Sequence, residues 1–176
     1  MDVKYINPFM KSIKNVFSTM LNIDVEFGKP RLRTEAEASH DVSGIIGLSG
    51  DAMGAVILSF PKPAALKIAG AFAGITFKEM DEDFADAIGE LANMVAGSAK
   101  RDLEGLNISI SVPSVIIGPN HQVRATRMVP RLLIPCSTPI GSFVVEVGMK
   151  VIKQNSQTDS QEQNVKEQEL VTTATE

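Results

Sequence analysis

Between residues 82 and 103 an apolar side chain returns every three or four positions: Phe84, Ile88, Leu91, Val95 and Ala99. At about 100° per residue these five fall in one narrow stripe, which predicts an amphipathic helix with one face buried. Asp81, Glu82 and Asp83 crowd its first turn, and Lys100 and Arg101 sit in its last. Both placements suit the helix dipole. Gly105 is placed to cap the end. A helix of this length must lie on a broad apolar surface, and the rest of the chain supplies one. Residues 42–48 and 53–60 are rich in Val, Ile and Leu and are separated by Gly50-Asp51, which reads as a β-hairpin. Pro61-Lys62-Pro63 stops the second strand, a small-residue helix follows over 64–72, and Gly74 ends it. Three further strands are predicted over 107–117, 124–135 and 140–151, with Gly118-Pro119-Asn120 turning between the first two. At the start, Ile6, Phe9, Ile13, Val16, Phe17 and Met20 give residues 5–21 helical spacing. Asn7 is the expected N-cap there, with Pro8 at the first helical position. Residues 24–27 read as a short strand, followed by a polar loop through Ser39. Helix, strands, helix, helix, strands is the order of an α+β fold with an antiparallel sheet packed with helices.

The chain of 176 residues is long enough to bury one real core. Its charge is unevenly placed. From Gln154 on there are five acids and one base, Lys166, which accounts for the whole net charge of −4 and leaves residues 1–153 neutral. We expect one domain over 1–151 and a disordered, acidic, Gln-rich tail over 152–176. No basic stripe of the kind that binds nucleic acid is present. Cys136 is the only cysteine, so no internal disulfide can form, which fits a reducing compartment. Met1-Asp2-Val3-Lys4 is not followed by a long apolar run, and no stretch reaches the ~20 apolar residues of a membrane span. A cytoplasmic protein without a membrane segment is the expectation.

Opposite the apolar stripe of the long helix lie Asp86, Glu90, Asn93, Gly97 and Glu104, bordered by Gly89 and Ala96. Glu90 and Asn93 are three residues apart and therefore neighbours on this face. A polar helix face ordinarily just meets water, and spacing alone favours that explanation. Two features point further. Gly89 and Gly97 each cost a helix about 1 kcal/mol relative to Ala. The face also lacks long Lys and Arg side chains for most of its length, which leaves its backbone open to close approach. This is the pattern of a docking face with Glu90 and Asn93 as its reaching groups. An Asn amide can orient a water by donating and accepting hydrogen bonds, and a Glu can pair with a partner's Lys or Arg.

The run Asp86-Ala87-Ile88-Gly89-Glu90-Leu91-Ala92-Asn93-Met94-Val95-Ala96-Gly97 resembles the motif of the CheC/CheX/FliY phosphatases of bacterial chemotaxis. The core of that motif is Glu-x-x-Asn on a long helix, often with an Asp or Ser four residues before the Glu. Ser111-Val112-Pro113-Ser114-Val115-Ile116-Ile117-Gly118 resembles the proline-bearing strand that follows it, and Ile6-Asn7-Pro8-Phe9 and the helix after it are also similar. The resemblance spans about residues 1–151. Family members with two active helices carry the motif twice. Here the first helix offers Ser12-Ile13-Lys14-Asn15, with no Glu, so the resemblance implies one site per chain, as in CheX rather than CheC. It implies a substrate phosphorylated on aspartate, a CheY-like response regulator. Asn93 would position water for in-line attack and Glu90 would dock on a lysine of the regulator, with Asp86 and Gly97 as further docking positions. It implies no cofactor in this chain, Mg²⁺ being supplied by the regulator, and it implies a homodimer. A non-catalytic module that grips a regulator through the same face is the alternative.

Other candidates are weaker. Gly47, Gly50 and Gly54 lack the following Lys-Ser/Thr of a phosphate loop. His40 and His121 are far apart, without acids in ligand spacing, and read as surface or turn residues. Cys136, in Pro-Cys-Ser-Thr-Pro, reads as a packed thiol. Asp81 to Asp83 serve the helix terminus.

Overall fold

The computed structural model describes residues 5–34, 37, 39–123 and 129–152. Among the described residues three α-helices, α1 (Asn7–Val16), α2 (Lys62–Ala73) and α3 (Glu82–Arg101), accompany eight strands: β1 (Glu26–Phe27), β2 (Arg31–Leu32), β3 (Val42–Gly50), β4 (Ala52–Phe60), β5 (Ile108–Ile110), β6 (Ser114–Ile117), β7 (Arg131–Thr138) and β8 (Gly141–Val151). The strands form one sheet in the order β1-β7-β8-β4-β3-β5, with β2 also on β7 and β6 also on β3. Every pairing is antiparallel. The α+β expectation holds. Among the described residues no helix is long and apolar enough to cross a membrane.

Alternation along the strands decides which face is core. Val56, Leu58 and Phe60 of β4 and Phe143, Val145 and Val147 of β8 join one buried cluster with Phe9, Ile13, Phe84, Ile88 and Leu91 of the helices. Phe143 stacks between Phe17 and Phe60, with ring centroids 5.0 and 5.1 Å away. The five residues of the predicted α3 stripe are all fully buried.

Several expectations need correction. Residue Ile6, not Asn7, precedes the first helical residue, and it caps without a side-chain bond. Its carbonyl already accepts from Phe9 and Met10, so Asn7 lies inside the helix. Beyond Val16 the helix widens into a π-helical turn over Phe17–Leu21, closed by Asn22 at φ 55°. The predicted strand over 107–117 is two strands. Leu48 pairs with Ile110 and Ile45 with Ser114, so the edge holds one more residue than β3 between these pairs: a bulge around Ser111–Pro113. Pro113 has no N–H for the ladder, and Ser111 serves both backbone groups of Gly47: its N–H donates to the carbonyl at 3.0 Å and its hydroxyl accepts the N–H at 2.9 Å. The strand expected over 124–135 runs from Arg131 to Thr138, continuing through Pro135 opposite Val144. Residues 124–128 lie outside the described residues, as does the tail beyond Ile152. Strand β2 falls where a loop was expected.

The second face of the sheet holds a charge that the sequence did not disclose. Glu146 is only 1% exposed and is paired across the sheet with Ile57 and Leu133. Arg33 forms an ion pair with its Oε1, and Arg131 Nη1 stands 3.0 Å from its Oε2 without hydrogen-bond alignment. Burial pushes both guanidinium pKa values down, and their mutual repulsion lowers that of Arg131 further. Two cations thus depend on one buried carboxylate. Glu146→Ala would leave both uncompensated, and we predict a loss of about 3–5 kcal/mol in urea unfolding. An unchanged unfolding midpoint would contradict the pairing.

Candidate functional site

Local rules place α3. The Asp81 carboxylate accepts the Phe84 N–H at 2.9 Å, closing the first turn. Three contacts then hold the helix. Gly44 of β3 lies directly beneath it: a Cβ there would come within 3.1 Å of Ala92 Cβ and 3.3 Å of Ile88. From α1, the buried Ser12 hydroxyl donates to the Val95 carbonyl at 2.7 Å. On the other flank, a Cβ at Gly89 would lie 3.4 Å from the Pro113 ring. The predicted openness at Gly89 is therefore used by the chain itself. Gly89 is buried, and its missing side chain admits Pro113 of the bulge rather than an outside partner.

The remaining face of α3 is free. Asp86 and Glu90 are exposed, and Asn93 and Gly97 are half-buried. The Asn93 amide donates to the Glu90 carboxylate at 3.4 Å, so the two side chains meet as their spacing requires. The Asn93 carbonyl oxygen and its second N–H stay available. A Cβ at Gly97 would meet only Ile110 Cδ1, at 3.8 Å. Glu104 lies beyond the end of the helix and is exposed. Val112, 82% exposed at the tip of the bulge next to Pro113, adds an apolar contact point that sequence reasoning missed. An apolar residue beside a proline inside a strand pattern was the available signal.

This arrangement offers a carboxylate for a cation and an amide able to hold a water. Among the described residues no nucleophile or base hydrogen-bonds to the pair. Among the described residues no group of three His, Cys, Asp or Glu is arranged for a metal ion. His121 bridges the Gly118 carbonyl at 2.7 Å and the Ser43 hydroxyl at 2.8 Å, and so fastens its loop to β3. Cys136 is buried, and burial pushes its thiol up to about 12.

Two predictions follow from this environment. Cys136 is buried and its thiol is pushed up, so native protein should not react with a thiol reagent until it unfolds; rapid native labelling would refute the burial. Gly97→Ala should raise stability by up to about 1 kcal/mol, because it removes a helical glycine without a clash. A drop in thermal midpoint would show that the position is packed.

Comparison with known proteins gives a consistent picture. The family model described as chemotaxis phosphatase CheX matches residues 42–137. The chain is similar to the CheY-P phosphatase CheX of Thermotoga maritima, at 31% identity over 137 residues, covering 76% of this chain and 88% of that protein. A crystal structure of a CheC-like superfamily protein from Shewanella sp. PV-4 superposes with a TM-score of 0.78 at 34% identity, covering 85% of this chain and 99% of that one. The CheX of a CheX–CheY–BeF3–Mg²⁺ complex from Borrelia burgdorferi superposes with a TM-score of 0.71 at 26% identity, covering 83% of this chain and 97% of that one.

Proposed function

This chain belongs to the CheX family of chemotaxis phosphatases, and on that footing we propose that it hydrolyses the aspartyl phosphate of a CheY-like response regulator. The observation that carries the reading is the Glu90–Asn93 pair, joined at 3.4 Å on the one face of α3 that neither α1, the sheet nor Pro113 covers. The complex of the Borrelia relative with CheY supports a regulator as the partner. The reading puts the reaction in the cytoplasm, where response regulators act.

In this reading Asn93 enters beside the acyl phosphate and holds a water in line with the phosphorus–oxygen bond to be broken. The water oxygen bonds to phosphorus as the aspartyl oxygen leaves, releasing phosphate and restoring the carboxylate. Phosphoryl transfer of this kind is catalysed mainly by positioning and charge stabilisation. An acyl phosphate is reactive enough for an oriented water to serve without a base. Glu90 pairs with a cation of the regulator, and Asp86 and Gly97 flank that contact. A regulator would bring its own Mg²⁺, which would supply positive charge against the phosphoryl group; no residue of this chain is assigned to hold it.

The test is phosphate release from a phosphorylated regulator in Mg²⁺. Asn93→Ala should lower kcat by about 100-fold, the scale of a lost positioning group. Glu90→Ala should act chiefly on KM, by about tenfold, equivalent to ~1.4 kcal/mol of docking. Wild-type turnover by Asn93→Ala would refute the role of Asn93. Capture of a regulator without faster dephosphorylation would favour a binding module.

A further inference from the structure

Helix α1 and the last turn of α3 border an open cleft of about 810 Å³. Three cations line it, Lys11, Lys14 and Arg101, against two acids, Asp24 and Asp102. The acids do not hold the cations firmly. Lys11 Nζ lies 2.7 Å from Asp102, but its side chain is 76% exposed. Such a pair is worth little in water and exchanges partners readily. Lys14 rests over the Phe27 ring, 5.6 Å from its centroid. Arg101 makes no ion pair among the described residues. Arg101 also follows Gly97 by four residues, so it continues the free face of α3, about 12 Å along the axis from Asn93. Arg101 thus lines the cleft and continues, by helical spacing, the proposed working face.

Strand β8 delivers the chain to this end of the molecule. The Ile152 N–H donates to the Asp51 carbonyl at 2.8 Å, and the Asp51 N–H donates to the Asn107 carbonyl at 3.0 Å. Asn107 is five residues after Asp102, at most about 19 Å of chain. Residues 153–176 follow Ile152, and 24 residues span up to about 80 Å extended and roughly 27 Å as a coil. From Gln154 on they carry Asp159, Glu162, Glu167, Glu169 and Glu176 against Lys166 alone. A tether this short holds them at an effective concentration in the millimolar range, enough for weak, screened ion pairs to populate a bound state.

We propose that the acidic segment 154–176 docks through its carboxylates in the Lys11–Lys14–Arg101 cleft and competes there with a regulator for the adjoining face of α3. The docking stands on the cleft and the segment alone; the competition rests on the part of the reading above that seats a regulator on α3, not on hydrolysis.

The test uses the full chain, spin-labelled at Ser160→Cys, which the unreactive Cys136 permits. Paramagnetic broadening should concentrate on the amides of residues 11–18 and 98–102. It should vanish with Lys11→Gln, Lys14→Gln and Arg101→Gln together, and in 1 M NaCl. Broadening spread evenly over the surface, or unchanged by the three substitutions, would overturn the docking. In a second arm, changing the five acids to Asn and Gln should tighten binding of a phosphorylated regulator by about threefold or more at low salt, as expected when a competitor occupies most molecules. Unchanged affinity despite docking would overturn the competition. If the label shows no cleft contact but the cleft substitutions weaken regulator binding, the regulator is the occupant and the proposal is wrong. Docking and competition without hydrolysis of any regulator would instead remove the phosphatase reading and leave this one standing.

Discussion

Helix α3 rests on β3 at a point where the strand contributes no side chain. Gly44 lies under Ile88 and Ala92 so closely that a single methyl group would press on both. Interiors are packed too tightly to absorb such a change freely. The rest of the structure is arranged around that contact. Ser12 fastens α1 to the helix through the Val95 carbonyl, and the bulge at Ser111–Pro113 brings a proline ring against Gly89. With α1, α2, the sheet and Pro113 packed against the rest of the helix, the orientation of its open side is fixed, and that side carries Asp86, Glu90, Asn93 and Gly97.

The two faces of the sheet hold together by different physics. The helix side is a continuous apolar cluster, stabilised by removal of surface from water. The other side buries Glu146 between Arg33 and Arg131, which ties β2, β7 and β8 at one place. A buried ion pair is a poor source of net stability but is intolerant of losing one member. The Ile57–Glu146–Leu133 register is therefore strongly specified, because a one-residue slip would turn the carboxylate into the apolar core.

Much of this was legible in the sequence where periodicity is strong. The Phe84-to-Ala99 stripe gave α3 and its buried face, and Gly50-Asp51 gave the β3–β4 hairpin almost to the residue. Spacing also predicted that Glu90 and Asn93 touch, and the resemblance to chemotaxis phosphatases gave that contact a use. What stayed hidden depended on residues far apart in the chain. Alternation could say that Glu146 points away from the core, but not that Arg33 and Arg131 meet it. Gly89 was read as open to a partner because nothing local showed that Pro113, 24 residues later, would fill the space. Asn7 had the chemistry of an N-cap, but the carbonyl of Ile6 begins the helix one residue earlier.

A working face defined by what packs against the rest of the helix is a claim about location, and location can be measured without turnover. A phosphorylated response regulator titrated into isotopically labelled protein should shift the backbone amides of residues 86–97 and those of the neighbouring Ser111–Pro113 bulge. The amides of Ile57, Leu133 and Glu146 on the far face of the sheet should stay in place. Shifts centred on that far face, with Glu90 and Asn93 unmoved, would contradict the account.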